Sequence, residues 1–257
     1  MPITQPIPKV QPLPKVDLLG CQVSYGSYPE VLRNIIDLAA SGQSSYVCFA
    51  NVHMLYEANH NEDFRQVVNQ ANLVCPDGRP LSVLMRLRYG IKQERTCGMD
   101  LFPDILRETA RRGLSVFFYG STEELLNQVC DKALETYPTL TIAGAYSPPF
   151  RPLTVEEDAE VVDMINHSGA DLVFVSLGCP KQEQWMQQHQ SKINACMLGL
   201  GQAFRTFAGI EKRLPTWARN LSLEWLYRLW LEPRRLAKRY LVGNSWFLLK
   251  SLKDLLS

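Results

Sequence analysis

Seven short apolar segments alternate along this chain with seven segments of helical periodicity, and that alternation constrains the fold more than any single motif. Strand-like runs lie near 16–23, 45–50, 72–75, 115–119, 140–144, 171–176 and 194–199. Helical patterns lie between them, near 28–41, 52–70, 79–89, 100–112, 122–136, 154–167 and 181–190. Apolar strands separated by helices read as a mainly parallel sheet with helices on both faces, a Rossmann-like α/β domain. Ser121 or Thr122, followed by Glu123 and Glu124, is predicted to cap one of the helices.

The clearest strand-to-helix junction is Val175 to Met186. An apolar run (Leu172, Val173, Phe174, Val175) ends at Gly178, and Pro180 opens a segment of helix formers. Proline suits a first helical turn, where its missing N–H has no partner to lose. Lys181, Gln182 and Glu183 then fall at a helix N-terminus, whose free N–H groups and dipole favour an anion such as a diphosphate. An ordinary turn with solvated polar residues has the same spacing.

Three further junctions carry polar or glycine-rich residues: Asn51-Val52-His53-Met54, Pro76-Asp77-Gly78-Arg79-Pro80 and Gly199-Leu200-Gly201-Gln202-Ala203-Phe204. The strand ends of a parallel sheet converge on one rim, where open α/β sheets bind ligands. Asp77, held at a turn, can reach a substrate hydroxyl as general base. An Asp-Gly pair also serves as a plain turn or cap. His53 is a second candidate base, or a structural histidine early in a helix. Gly199-x-Gly201 is an incomplete dinucleotide fingerprint, since Phe204 stands where a third glycine belongs. No Asp-x-Asp triplet, P-loop or Gly-x-Ser-x-Gly occurs. A short carboxylate clamp for a nucleotide-bound metal is therefore missing, and neither metal nor other cofactor is expected.

Composition narrows the class. The chain has 257 residues, 46% hydrophobic and 21% charged, enough for a large core with an appendage. Its seven cysteines are scattered with no close C-x-x-C pair, which indicates a reducing cytoplasm and neither a disulfide framework nor a zinc site. Six prolines by position 29 read as a loose arm without a signal-peptide core. No run reaches the ~20 apolar residues of a membrane span.

The net charge of +1 conceals a split: residues 205–257 hold 11 Lys/Arg against 4 Asp/Glu, and residues 1–204 hold 16 against 22. In the basic tail, Trp217, Leu221, Trp225, Leu226, Leu229 and Trp230 recur at helical spacing. Pro233 separates them from a second helix through Arg234, Arg235, Lys238, Arg239, Leu241, Trp246, Phe247 and Leu252. Such a surface suits anionic lipid headgroups; alternatively, the aromatics pack onto the core and the arginines face water. No nucleic-acid-binding motif appears, so nucleic acid is not expected as a partner. The predicted organisation is a flexible arm over 1–15, a Rossmann-like catalytic domain over 16–204 and a helical, membrane-associating appendage over 205–257.

Taken together, the motifs resemble the TagA/WecG/CpsF family of bacterial glycosyltransferases. The resemblance runs from about Leu18 to Tyr240. It rests on Ala50-Asn51-Val52-His53-Met54, Pro76-Asp77-Gly78, Gly98-Met99-Asp100-Leu101, Gly178-Cys179-Pro180-Lys181-Gln182-Glu183, Gly199-Leu200-Gly201, and Glu224-Trp225-Leu226-Tyr227-Arg228-Leu229 with Glu232-Pro233. It implies inverting transfer of a sugar from a UDP-sugar to a polyprenyl-diphosphate-linked acceptor, at the cytoplasmic face of the membrane, in cell-surface polysaccharide synthesis. N-acetylmannosamine is the first donor expected, with glucose or a uronic acid as alternatives.

By the same resemblance Asp77 is the base, Asn51 lines the site and Gln182 contacts substrate. Arg228 and Arg235 bring charge from the appendage, and Lys238 stands where a third arginine belongs. His53, Gly178, Lys181, Glu183, Gly199 and Gly201 complete the expected binding set. Two departures stand out: Phe49 where threonine is common, and Arg205 where aspartate is common. A nucleotide-cofactor oxidoreductase and an inactive membrane-recruited binding protein of the same fold are the rival readings. Self-association into a homo-oligomer is left open by the sequence.

Overall fold

The computed structural model describes residues 10–215, 217–218 and 224–256, without the side chains of Glu224, Arg228 and Arg235. A six-stranded sheet in the order β4-β3-β8-β7-β5-β6 forms the centre, and every pairing in it is parallel. Its strands are β3 (Ser45–Ala50), β4 (Leu73–Pro76), β5 (Ser115–Gly120), β6 (Thr141–Tyr146), β7 (Leu172–Ser176) and β8 (Cys196–Gly199). The helices around it are α1 (Tyr28–Ala40), α2 (Val52–His60), α3 (Glu62–Gln70), α4 (Arg79–Tyr89), α5 (Gly98–Arg112), α6 (Glu123–Thr136), α7 (Val155–Ser168), α8 (Lys181–His189) and α9 (Gly201–Phe207). The expected Rossmann-like α/β architecture is present.

Two expected elements are divided. The strand expected over 16–23 is an antiparallel hairpin apart from the main sheet, β1 (Lys15–Leu18) and β2 (Cys21–Ser24). Leu19 (φ 56°) and Gly20 (φ 91°) turn it, and the Asp17 carboxylate accepts the Gly20 N–H at 3.0 Å. Two consecutive left-handed residues match a tight hairpin turn, which a single apolar run does not reveal. The helix expected over 52–70 breaks at Asn61, which is extended and accepts the Phe64 N–H at 3.0 Å, so a new helix starts with Glu62 and Asp63 in its first turn. Thr122 provides the cap of α6, accepting from Leu125 N–H at 3.3 Å.

Each sheet face buries its own apolar cluster. On one, Phe102 of α5 packs against Phe174 at 4.9 Å, Phe207 at 5.1 Å and Phe204 at 5.5 Å between ring centres. Phe204 is fully buried, so the residue that spoils the glycine fingerprint is a core side chain. Residues 10–14 lie on the domain: Val10 and Leu13 pack against this cluster, and Asn34 Nδ2 donates to the Gln11 carbonyl.

The tail continues in α10 (Glu224–Leu231) and α11 (Pro233–Leu256). As expected, Pro233 starts the second of these helices. Its inner face returns to the α/β domain. Phe247 is buried, Trp246 meets Tyr56 of α2 edge-on at 5.5 Å, and Asp254 pairs with Arg88 of α4. The outer face presents Leu241, Leu248, Leu249, Leu252 and Leu256, all more than half exposed.

Candidate active site

The C-terminal ends of β3, β4, β5, β7 and β8 open into one cleft of about 550 Å³. Asn51, Asp77, Ser121, Ser176, Gly178, Gly199 and Gly201 line it from the sheet side. Leu231, Glu232, Leu236, Arg239 and Tyr240 close it from the tail. Parallel strands deliver their loops to one edge, which is why segments far apart in sequence meet here.

Asp77 sits one residue past β4. Its N–H donates to the Ala50 carbonyl at 2.7 Å, locking it beside the end of β3, and Gly78 follows with φ 109°, a backbone that favours glycine. Behind the carboxylate, the Cys97 thiol is within hydrogen-bonding reach of both Asp77 and Arg95. Burial and the Asp77 charge push that thiol far up, so it stays protonated and donates. Thr96 Oγ1 anchors the same segment to the Pro76 carbonyl at 3.0 Å. Asp100 extends the support, 3.7 Å from Arg95 Nε and 2.5 Å from Arg213 Nη2. Asn51 caps α2, accepting from the N–H groups of His53 and Met54 at 3.1 and 3.2 Å, which leaves its amide NH₂ to offer a ligand.

The β7–α8 turn departs from expectation. The Cys179–Pro180 bond is cis, and Pro180 stands at the cap of α8, one position before the first helical residue. Lys181 is exposed. Gln182 and Glu183 face inward, with 6% and 0% exposure, because they share the buried side of α8 with Met186. Gln182 Oε1 accepts the Gly178 N–H at 3.1 Å and its Nε2 donates to Glu183 Oε1 at 2.8 Å. A Cβ on Gly199 would lie 2.9 Å from Gln182 Nε2, and one on Gly201 3.1 Å from its Oε1. These two glycines thus make room for a buried glutamine. They do not form a dinucleotide loop.

Of the remaining expected contacts, His53, Lys181 and Lys238 are not among the described lining residues. His53 lies 3.6 Å from Glu57 on its own helix. Burial, then the Arg239 charge, lowers its pKa to about 4, so it is a neutral imidazole at pH 7. The side chains of Arg228 and Arg235 lie outside the described residues. Arg205 does line the cleft, but Glu211 meets its Nε at 2.7 Å and neutralises the expected extra charge. Phe49 forms wall beside Leu200; a Cβ on Gly98 would come within 2.6 Å of Leu200 Cδ2 and 3.4 Å of Phe49 Cγ.

Sequence reasoning missed Arg239 and Tyr240 as cleft residues. The signal was present: they stand three and four positions after buried Leu236, hence on its face of the helix, whereas Lys238 at two positions points away.

Glu183 makes stability depend on pH. Burial raises its pKa from 4.5 to about 7, outweighing the hydrogen bonds from Gln182, its own backbone and Cys179. Between those values the folded protein holds a proton that the unfolded chain has released. Stability therefore falls as pH rises from 4.5 through 7, by about 3 kcal/mol in total. His53 acts in the opposite sense. Its folded pKa lies below the ordinary 6.5, so its contribution is lost as pH falls from 6.5 toward 4. Thermal unfolding of wild type against pH should show a falling limb centred between 5 and 7 that is absent from Glu183→Gln.

A cleft at the C-terminal rim of a parallel sheet, with a carboxylate at one strand end and an arginine at its wall, is the arrangement of a Rossmann-like ligand site. The profile of the "Glycosyl transferase WecG/TagA/CpsF family" matches residues 16–257, and the chain belongs to that family. It is similar to the N-acetylglucosaminyldiphosphoundecaprenol N-acetyl-beta-D-mannosaminyltransferase of Bacillus subtilis (strain 168), 33% identical over 72% of this chain and 71% of that protein. The protein of the same name from Staphylococcus aureus (strain NCTC 8325 / PS 47) is 27% identical over 87% of each chain.

Proposed function

We propose that this protein transfers a sugar, N-acetylmannosamine first among candidates, from its UDP conjugate to a polyprenyl-diphosphate-linked N-acetylglucosamine. The observation that carries the reading is the place of Asp77: a half-buried carboxylate at the rim of the cleft, fixed by its own N–H to β3. Asp77 takes the proton from the acceptor hydroxyl as its oxygen attacks the anomeric carbon. The attack comes from the face opposite UDP, so the configuration inverts. Charge then grows on the departing diphosphate and calls for positive groups held in place. Arg239, together with the N-terminal ends of α2 and α8, provides them from this chain's own residues.

The tail supports a lipid-linked acceptor. Leu214, Pro215, Trp217, Ala218, Leu226, Tyr227, Leu229 and Trp230 line a second hollow, of about 560 Å³ and almost wholly apolar. The segments that form it continue into the cleft wall, through Glu211 on one side and Leu231 on the other. Among the described residues no helix is long and apolar enough to cross a membrane. The leucines outside α11, with Arg234, Lys238, Lys250 and Lys253 on the same helix, suit peripheral binding to the anionic inner leaflet.

The test is transfer from a panel of UDP-sugars to a short-chain polyprenyl-diphosphate-GlcNAc, with and without anionic vesicles and EDTA. Transfer from UDP-N-acetylmannosamine that persists in EDTA and rises with vesicles is the expected result. Absence of transfer from every donor, with vesicle binding intact, would overturn it.

A further inference from the structure

Glu183 is the one charged-type side chain with no exposed surface among the described residues of the core. Its Oε1 accepts from Gln182, and its Oε2 has no nitrogen or oxygen donor within reach. From the turn Cys179 faces it, and from β3 Cys48 does; both thiols are held protonated by burial. The Arg239 charge reaches Cys179, while burial is the largest influence on Glu183 itself. No salt bridge to Glu183 exists among the described residues. A carboxylate taken out of water without a cation is held in its neutral form.

The Gln182 amide has only one arrangement that satisfies its neighbours. The Gly178 N–H needs an acceptor, so Oε1 must face it, and Nε2 must then face Glu183. In that orientation the glutamine fills the space between the turn after β7 and the turn after β8, against Gly199 and Gly201. Both turns line the cleft.

We propose that Glu183 is a positioning residue that works as a neutral acid: it fixes the Gln182 amide, and through it the two glycine turns that form the cleft floor. The inference rests on the function proposed above. Ionisation would put an unpaired charge beneath a site that receives a diphosphate, and the floor would rearrange or repel it. The value of about 7 for Glu183 places that change near neutrality.

The experiment compares wild type with Glu183→Gln and Glu183→Leu, measuring kcat and KM for the UDP-sugar from pH 5.5 to 8.5. Glutamine keeps an acceptor for Gln182 and cannot ionise. We expect it to hold kcat/KM within about threefold of wild type at pH 6 and to lose the fall that wild type shows above pH 7. Leucine, which removes the acceptor, should lower kcat at least tenfold at every pH with a smaller change in KM. The inference is overturned if glutamine keeps the wild-type alkaline fall, or abolishes turnover throughout. If wild type transfers no sugar from any donor, the proposed function fails while thermal unfolding still decides this point. A loss of stability between pH 5 and 8 in wild type and not in Glu183→Gln supports it, and parallel curves overturn it.

Discussion

Asp77→Asn is expected to lower kcat by at least about 100-fold, within the range that a positioned general base contributes. The amide has the carboxylate's shape but cannot take a proton from an attacking hydroxyl. What holds the residue in place survives the change. The 2.7 Å bond from residue 77 to the Ala50 carbonyl uses main-chain N–H, and the Cys97 thiol can donate to an amide oxygen as to a carboxylate. Neither the Gly78 turn nor the Thr96 anchor involves the side chain of residue 77. The variant should therefore unfold within about 2 °C of wild type, equivalent to about 1 kcal/mol for a chain of this size. Its KM for the UDP-sugar should change little, since the lost group acts on the acceptor. Sugar transfer with saturating donor, read beside a thermal melt, separates the outcomes. A correctly folded Asp77→Asn with near-normal turnover would remove Asp77 as the base. An unfolded one would show that the carboxylate supports the β4 end, through Cys97 and Arg95, more than the distances suggest.

Much of this arrangement is legible in the residues because strand ends in a parallel sheet must meet. Asn51, Asp77, Gly178, Gly199 and Gly201 follow directly from marking where apolar runs stop, and the cleft gathers all five. Sequence spacing does not reveal which way a side chain turns. Lys181, Gln182 and Glu183 are consecutive at one helix start, yet only the lysine is in water, because the other two share the buried side of α8 with Met186, and Gly199 and Gly201 leave room for Gln182. The hairpin at Leu19-Gly20 was hidden for a related reason. Its apolar residues form one run in sequence, and the turn that divides it puts a leucine, Leu19, at positive φ beside Gly20. Arg205 illustrates a third limit. Its charge is visible in the sequence, but its neutralisation depends on Glu211 returning six positions later from the end of α9.

The choice between two adjacent cations gives the second large effect. Lys238 is the residue that the sequence resemblance puts where a third arginine is expected, whereas Arg239 is the one whose side chain lines the cleft and whose charge is felt at His53 and Cys179. Those two residues mark the starts of α2 and α8, so Arg239 brings its guanidinium to where two helix N-termini already favour an anion. Arg239→Glu replaces that attraction with repulsion of the diphosphate. Losing a partly buried partner of an anion costs about 2–5 kcal/mol, so kcat/KM should fall at least about 30-fold. Lys238→Glu changes net charge by the same amount on the exposed side of the same helix. With a water-soluble acceptor it should stay within about fivefold of wild type, as exposed charges contribute less than about 1 kcal/mol. Pairing the variants cancels the long-range effect of net charge, and a soluble acceptor removes membrane attraction from the comparison. Equal losses would mean that the tail's summed charge matters and not its aim into the cleft. A larger loss at Lys238 would mean that α11 turns when substrate binds and presents its other face.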